Sequence, residues 1–370
     1  MLRKTALHKL HIDLGAKMGE FAGYDMPLYY GEGVMKEHEW VRSSCGLFDV
    51  SHMGQAMITG AEGETTALDF IQKLTPSSFE RLGIDRTKYT VLTNPEGGII
   101  DDLMVTRTGE NAFHLVINAG CKDKDIAWMK QHLPEDVEFT YFDDWALLAL
   151  QGPEAENVMR EALGFDLSDM PYMSIRAENE GTFFISRLGY TGEDGFELAV
   201  KNAEAPALAE KLLAHDAVKP IGLAARDSLR LEMGYALYGH EITAETSPVE
   251  ANMVWVIGKS RTGYFGHERI QKDLTEGVSR KLVGIKLTGK GVAREGAEIR
   301  NEADEVVGAL TSGGHSPSLK ESVGIGYVQT DLAKTGQSLF VNVRGRNIDA
   351  VVADLPFVPA KTKSAKKKAA

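Results

Sequence analysis

Two adjacent aspartates inside an apolar run, Gly97-Gly-Ile-Ile-Asp101-Asp102-Leu-Met-Val, are the first residues of this chain placed to do chemistry. On a strand, neighbouring side chains point to opposite faces, so Asp101 and Asp102 cannot both enter one pocket. One is expected to face water or cap a turn, and the other to be a desolvated carboxyl; the spacing leaves open which is which. A second segment, Leu188-Gly-Tyr190-Thr-Gly-Glu-Asp-Gly-Phe-Glu197-Leu, carries three glycines in seven residues, a loop whose backbone approaches something closely. Glu197 falls in the apolar run that follows, where an acid needs a partner. A third, Gly222-Leu-Ala-Ala-Arg226-Asp-Ser-Leu-Arg230-Leu-Glu232-Met-Gly234, reads as a helix ending at a glycine, with Arg226 and Arg230 on one face. Two uses stay open for these arginines: ion pairs with Asp227 and Glu232, or a guanidinium aimed at a carboxylate, phosphate or carbonyl.

The elements that hold these segments are mixed. Three-and-four apolar spacing predicts helices over 34–44, 66–74 and 207–215, between short strand-like runs at 113–118, 145–150, 182–187 and 196–200. Helices and strands do not alternate strictly, which favours an antiparallel α+β arrangement over a doubly wound parallel sheet. After about residue 276 helical periodicity disappears, and strand-like runs at 281–287, 297–300, 306–310, 323–328, 338–343 and 347–352 predict a small barrel or jelly roll. Arg344-Gly345-Arg346 suits a hairpin turn. A domain boundary is expected at 273–280.

Other chemistries lack their residues. Gly258-Lys-Ser would end a phosphate-binding loop, but Met253 stands where its first glycine is required. His38-Glu-Trp-Val-Arg42 has an arginine in place of the second histidine of a zinc protease helix. No dinucleotide-binding glycine fingerprint follows a strand, and no nucleophile elbow is present. The 370 residues, 43% hydrophobic and 25% charged, describe a soluble folded protein of two or three domains. A net charge of -12 disfavours nucleic acid as a partner. The two distant cysteines, Cys45 and Cys121, point to a reducing compartment. No apolar segment suits export or a membrane span.

Taken together and in order, these segments resemble the aminomethyltransferase (T-protein) family of the glycine cleavage system. The resemblance runs from Leu2 to Pro359 and is carried by Phe21-Ala-Gly-Tyr-Asp-Met-Pro, Leu47-Phe-Asp-Val-Ser-His-Met-Gly54, Gly98-Ile-Ile-Asp-Asp-Leu, Asn118-Ala-Gly-Cys-Lys-Asp-Lys-Asp and Leu148-Ala-Leu-Gln-Gly-Pro153. It continues through Gly189 to Glu197, Ala225 to Glu232, Pro248-Val-Glu-Ala-Asn-Met-Val-Trp255 and Thr311-Ser-Gly-Gly-His-Ser-Pro-Ser318.

The resemblance implies a cloverleaf: a catalytic region over 1–275 made of two mixed α/β portions, a C-terminal β-barrel over 280–359, then a lysine-rich disordered tail over 360–370. It implies transfer of a one-carbon unit from an aminomethyl group on the lipoyl arm of H-protein to the co-substrate tetrahydrofolate, with no metal. Asp102 matches the family's catalytic carboxylate, Glu197 the acid that holds the pterin edge, and Arg226 the folate-site arginine. Tyr89, Asn118, Tyr190, Met53 and Trp255 match further pocket positions. After Pro356-Phe-Val-Pro359, where some members place a ligand-contacting tyrosine or arginine, this chain has Ala-Lys-Thr-Lys363. An anionic folate entering an acidic protein further implies cations at the pocket mouth, Arg226 among them. The short N-terminus ahead of the matched region reads as that of a bacterial cytoplasmic protein. Sister folate-dependent transferases on the same fold are the nearest rivals. The iron–sulfur maintenance paralogues carry a Lys-Gly-Cys motif, absent from Met233-Gly-Tyr-Ala-Leu-Tyr-Gly-His240.

Overall fold

The structure is a computed structural model, and it describes residues 1–363. Eleven strands from the first two-thirds form one sheet. Every pairing in it is antiparallel except that of Val218–Pro220 with Cys45–Asp49. The sheet has two halves joined at a single pair, Ser174 opposite Arg86. In the half built on Trp145–Gln151, Gly195–Lys201 and Phe183–Arg187, the helices Ala155–Leu163 and Ala205–Leu213 cover an apolar core that includes Leu148, Phe196 and Leu212. In the other half, the helices Thr66–Leu74 and Lys122–Gln131 cover Phe70, Phe113 and Leu115. These are the two mixed portions of the cloverleaf.

The helix His267–Glu276 enters the expected boundary segment, and the strand-only region starts at Arg280. Six strands then close a barrel around Ile285, Leu310, Val328 and Val341. Its last hairpin pairs Val343 with Arg346 across Arg344 and Gly345, both at positive φ (53° and 82°), the signature of a type I′ turn. The strand expected to stop at Leu310 runs on to Ser316, through Thr-Ser-Gly-Gly-His-Ser. Small and polar residues hide this half of it from any hydropathy pattern, and it is held by pairing with Glu321–Gln329.

The glycines of the 189–195 loop are explained by protein neighbours. A Cβ at Gly189 would meet the Gln151 amide at 1.9 Å, one at Gly192 the Met233 sulfur at 2.1 Å, and one at Gly195 the Leu150 carbonyl at 2.4 Å. The helix Leu223–Met233 ends at Gly234 in the left-handed conformation, as expected. Its ion pairs are only in part those expected. Arg230 pairs with Asp227 at 2.8 Å and with the buried Glu241 at 3.0 Å, while Glu232 turns to other elements. Glu232 accepts from His38 Nε2 (3.1 Å) and Arg42 Nη2 (2.8 Å) of the helix Val34–Ser43, and from Ser316 Oγ (2.5 Å) and the Ser318 amide (3.0 Å) of the barrel. Its main-chain carbonyl takes the Phe357 amide at 2.9 Å.

The expected tail makes contacts at its start. Lys361 bonds Gly192 O through its amide (2.7 Å) and Glu193 through its ammonium (3.1 Å), and Lys363 reaches Glu156 at 2.7 Å. A buried acid in the 189–195 loop and a half-buried one on the helix Ala155–Leu163 hold these residues in place, and the remainder of the expected tail, 364–370, lies outside the described residues.

Burial alone would raise the Glu232 pKa, but His38, Ser316 and Arg42 outweigh it and hold the carboxyl well below the usual range. A depressed folded-state pKa contributes stability that is complete above the unfolded value of about 4.3 and is lost as pH falls from there. Glu232→Gln is therefore expected to destabilise the protein by about 3–5 kcal/mol at pH 7, through the charges left uncompensated. Urea unfolding should show the gap from wild type closing as pH drops below about 4.

Candidate active site

A cavity of about 730 Å³ opens where the two sheet halves, the helix Leu223–Met233 and the barrel meet. All eight site residues expected from the sequence line it: Met53, Tyr89, Asp102, Asn118, Tyr190, Glu197, Arg226 and Trp255. The barrel side contributes Leu282, Leu355 and Pro356.

Asp102 lies on the long strand Ile99–Gly109, and strand alternation puts its side chain in the cavity while Asp101 points away from it. Neither carboxyl faces water or caps a turn: Asp101 is fully buried and Asp102 is 8% exposed. This overturns the expectation for the outer aspartate, and the reason is the helix Lys122–Gln131, which seals the opposite face of the sheet. Asn118, just past the strand Ala112–Ile117, donates to Asp102 Oδ1 (3.0 Å), to Asp102 O (2.9 Å) and to Asp101 Oδ1 (3.2 Å). Burial raises the Asp102 pKa above the usual carboxylate range, and hydrogen bonds from Tyr89 and Asn118 draw it part of the way back.

Across the cavity, Glu197 is 5% exposed and its carboxyl has no hydrogen-bonding partner among the described residues. Burial raises its pKa, against the pull of Arg226. Arg226 sits in the first turn of its helix, with its guanidinium 5.0 Å from the Tyr190 ring centre and Nη1 buried without a partner. A carboxyl and a guanidinium held out of water with bonding capacity unused are groups arranged for a polar ligand. Among the lining residues, two carboxyls face a single guanidinium and His240, so the mouth is not ringed by cations. What the lining offers a polar ligand is directed hydrogen bonds from these groups.

The aromatic residues divide by their packing. Tyr190 is accounted for within the protein, stacked on Tyr235 at 5.5 Å with its hydroxyl on the Ala236 carbonyl. Trp255 is 68% exposed at the rim, 5.3 Å from the Tyr89 ring, and is not a core residue. Sequence reasoning missed Tyr172, Tyr238 and His52, which also line the cavity. Burial, with Arg226 and Lys122 nearby, pushes His52 down to about 4, so it is neutral at pH 7. It missed Asp125 too, buried behind Asp101; that residue's only signal was its place in Asn118-Ala-Gly-Cys-Lys-Asp-Lys-Asp. Among the described residues, no group of His, Cys, Asp and Glu converges as a metal site.

Comparison with known proteins places this geometry. The GCVT N-terminal domain model matches residues 7–261, and the glycine cleavage T-protein C-terminal barrel domain model matches 280–359. The chain is 41% identical to an aminomethyltransferase of Flavobacterium psychrophilum over 96% of its length and 99% of that protein's. It is 40% identical to a mitochondrial aminomethyltransferase of Dictyostelium discoideum, covering 98% and 94% of the two chains. The crystal structure of glycine cleavage system aminomethyltransferase T from Bartonella henselae superposes with a TM-score of 0.93 at 38% identity, over 98% of this chain and 99% of that one. Both family domains are thus present in order on the expected fold, and the chain belongs to the glycine cleavage T-protein family of aminomethyltransferases.

Proposed function

We infer that this protein is the aminomethyltransferase of the glycine cleavage system. It moves the one-carbon unit of the aminomethyl group on lipoyl H-protein to tetrahydrofolate, giving 5,10-methylenetetrahydrofolate, ammonia and dihydrolipoyl H-protein. The observation that carries this reading is the convergence of Asp102, Glu197 and Arg226 on one cavity in a chain of this family. In it, residues 1–275 are the catalytic region, and the barrel of 280–359 closes the cavity.

Tetrahydrofolate supplies the nitrogens that take up the carbon. Glu197, without a protein donor to its carboxyl, suits a paired donor edge such as that of a pterin, and Arg226 Nη1 suits a carbonyl or carboxylate of the same molecule. Asp102 is the carboxylate that faces developing positive charge at the transferred carbon and accepts a proton there. Met53, Tyr190 and Trp255 supply apolar walls, and Tyr89 and Asn118 fix the Asp102 carboxylate. General acid–base help is worth about 10²–10⁴-fold, so holding both reactants in one cavity provides most of the acceleration. The two free, buried cysteines fit the reducing bacterial cytoplasm in which we place this reaction. Among the described residues, no helix is long and apolar enough to cross a membrane.

Incubation with tetrahydrofolate and aminomethyl-lipoyl H-protein should yield methylenetetrahydrofolate. No product, together with turnover of a methylsulfonium or N-methylglycine donor, would move the chain to a sister transferase. Asp102→Asn should lower kcat by about 10²–10⁴-fold while tetrahydrofolate affinity is kept. Glu197→Ala and Arg226→Ala should each raise the tetrahydrofolate Kd by about 10–100-fold in calorimetric titration, and unchanged curves would reject their roles. Because the Asp102 pKa is raised and its charged form is the active one, kcat should fall as pH drops through a midpoint above the usual aspartate value of about 3.9.

A further inference from the structure

We propose that Asp101 and Asp125 share one proton at neutral pH, which makes Asp101 a neutral hydrogen-bond donor that positions Asn118 and, through it, the Asp102 carboxylate. This rests on the reading of Asp102 given above. Asp101 points from its strand toward the helix Lys122–Gln131, and Asp125 in the first turn of that helix faces it; both are fully buried. Each keeps one carboxyl oxygen, Oδ2, buried with no donor, while the other oxygen is satisfied: Asp101 Oδ1 by Asn118 (3.2 Å) and Asp125 Oδ1 by Lys124 Nζ (2.8 Å). Two ionised carboxyls accept hydrogen bonds and donate none, so the facing pair would repel and both Oδ2 atoms would stay unpaired. A single proton between them removes both defects.

The surroundings decide which residue carries it. Lys124 and the helix N-terminus lie on the Asp125 side and favour charge there. On the Asp101 side stand Asp102, Asn118 and, beyond them, Tyr89. Cys121 and Tyr238 also face the pair, and burial raises the pKa of both, so they remain neutral. Burial and the neighbouring acids raise the Asp101 pKa as well. The proton therefore sits on Asp101 and points at Asp125. The Asp101 carbonyl oxygen accepts from the Asn118 amide, whose other bonds hold Asp102. Asp101 and Asp125 touch no reactant; they are positioning residues.

Two isosteric variants move the charge differently. In Asp101→Asn, the new amide nitrogen donates to Asp125 and its oxygen accepts from Asn118, a copy of the protonated acid. Its kcat should stay within about threefold of wild type, with the acid limb of the pH profile unmoved. In Asp125→Asn, the single negative charge shifts onto Asp101, beside Asp102, and the acid limb should move up by roughly one pH unit. Infrared spectroscopy of the ligand-free protein at pH 7 should show a protonated carboxyl stretch that Asp101→Asn removes. Absence of that band in wild type, or loss of activity in Asp101→Asn equal to that in Asp102→Asn, would overturn the proposal, and the infrared measurement decides even if Asp125→Asn folds poorly. Failure of wild type to form methylenetetrahydrofolate would instead defeat the functional reading and leave the infrared result standing.

Discussion

A carboxylate taken out of water must be compensated by several charged or hydrogen-bonding groups at once, and Glu232 draws its partners from three separate parts of the chain. His38 and Arg42 reach it from the helix Val34–Ser43, Ser316 and Ser318 from the barrel, and its main chain is tied to Phe357 beyond the last strand. None of these partners satisfies the acid alone, so its full pairing requires the helix Val34–Ser43 and the barrel to meet on it. The cavity is the space left between lobes fixed in this way. Arg226 projects into it from the same helix two turns earlier, so the acid that joins the lobes and the guanidinium that serves the site are set by one rigid element.

What the sequence revealed followed from local rules. The helix at 66–74, the hairpin at Arg344-Gly345 and the glycine stop at Gly234 each depend on residues within a few positions, and each is found where the pattern puts it. Strand alternation separated Asp101 from Asp102 but could not say which faces the cavity, since that depends on the helix Lys122–Gln131 covering the other face. The same limit hid Asp125, the pairing of Arg230 with Glu241 and the partners of Glu232, contacts that lie from 11 to 194 positions away. Spacing in the chain carries no information about such contacts. The motif resemblance supplied eight residues that line the cavity because it stores the outcome of folding rather than its rules.

The electrostatics of the cavity differ from what net charge suggests. The net charge of an acidic protein invites the expectation of cations around a polar cavity, and the lining offers one guanidinium against two carboxyls. Directed bonds from a buried acid discriminate by donor geometry, whereas a diffuse positive field would admit any anion. Under the proposed function, selectivity at Glu197 and charge balance at Arg226 are thus two aspects of one desolvated site.

The segment that leaves the barrel turns back across the molecule, lines the cavity with Leu355 and Pro356, and fastens Lys361 to the 189–195 loop. In the order of synthesis, this wall emerges from the ribosome after every other wall of the cavity. The two sheet halves have their own cores and can collapse early, yet the pocket they begin to outline is completed only when this late stretch arrives. The cavity is therefore closed only once the stretch through Leu355 and Pro356 has folded back against it, and a polypeptide that stops before those residues presents an open trough rather than an enclosed pocket.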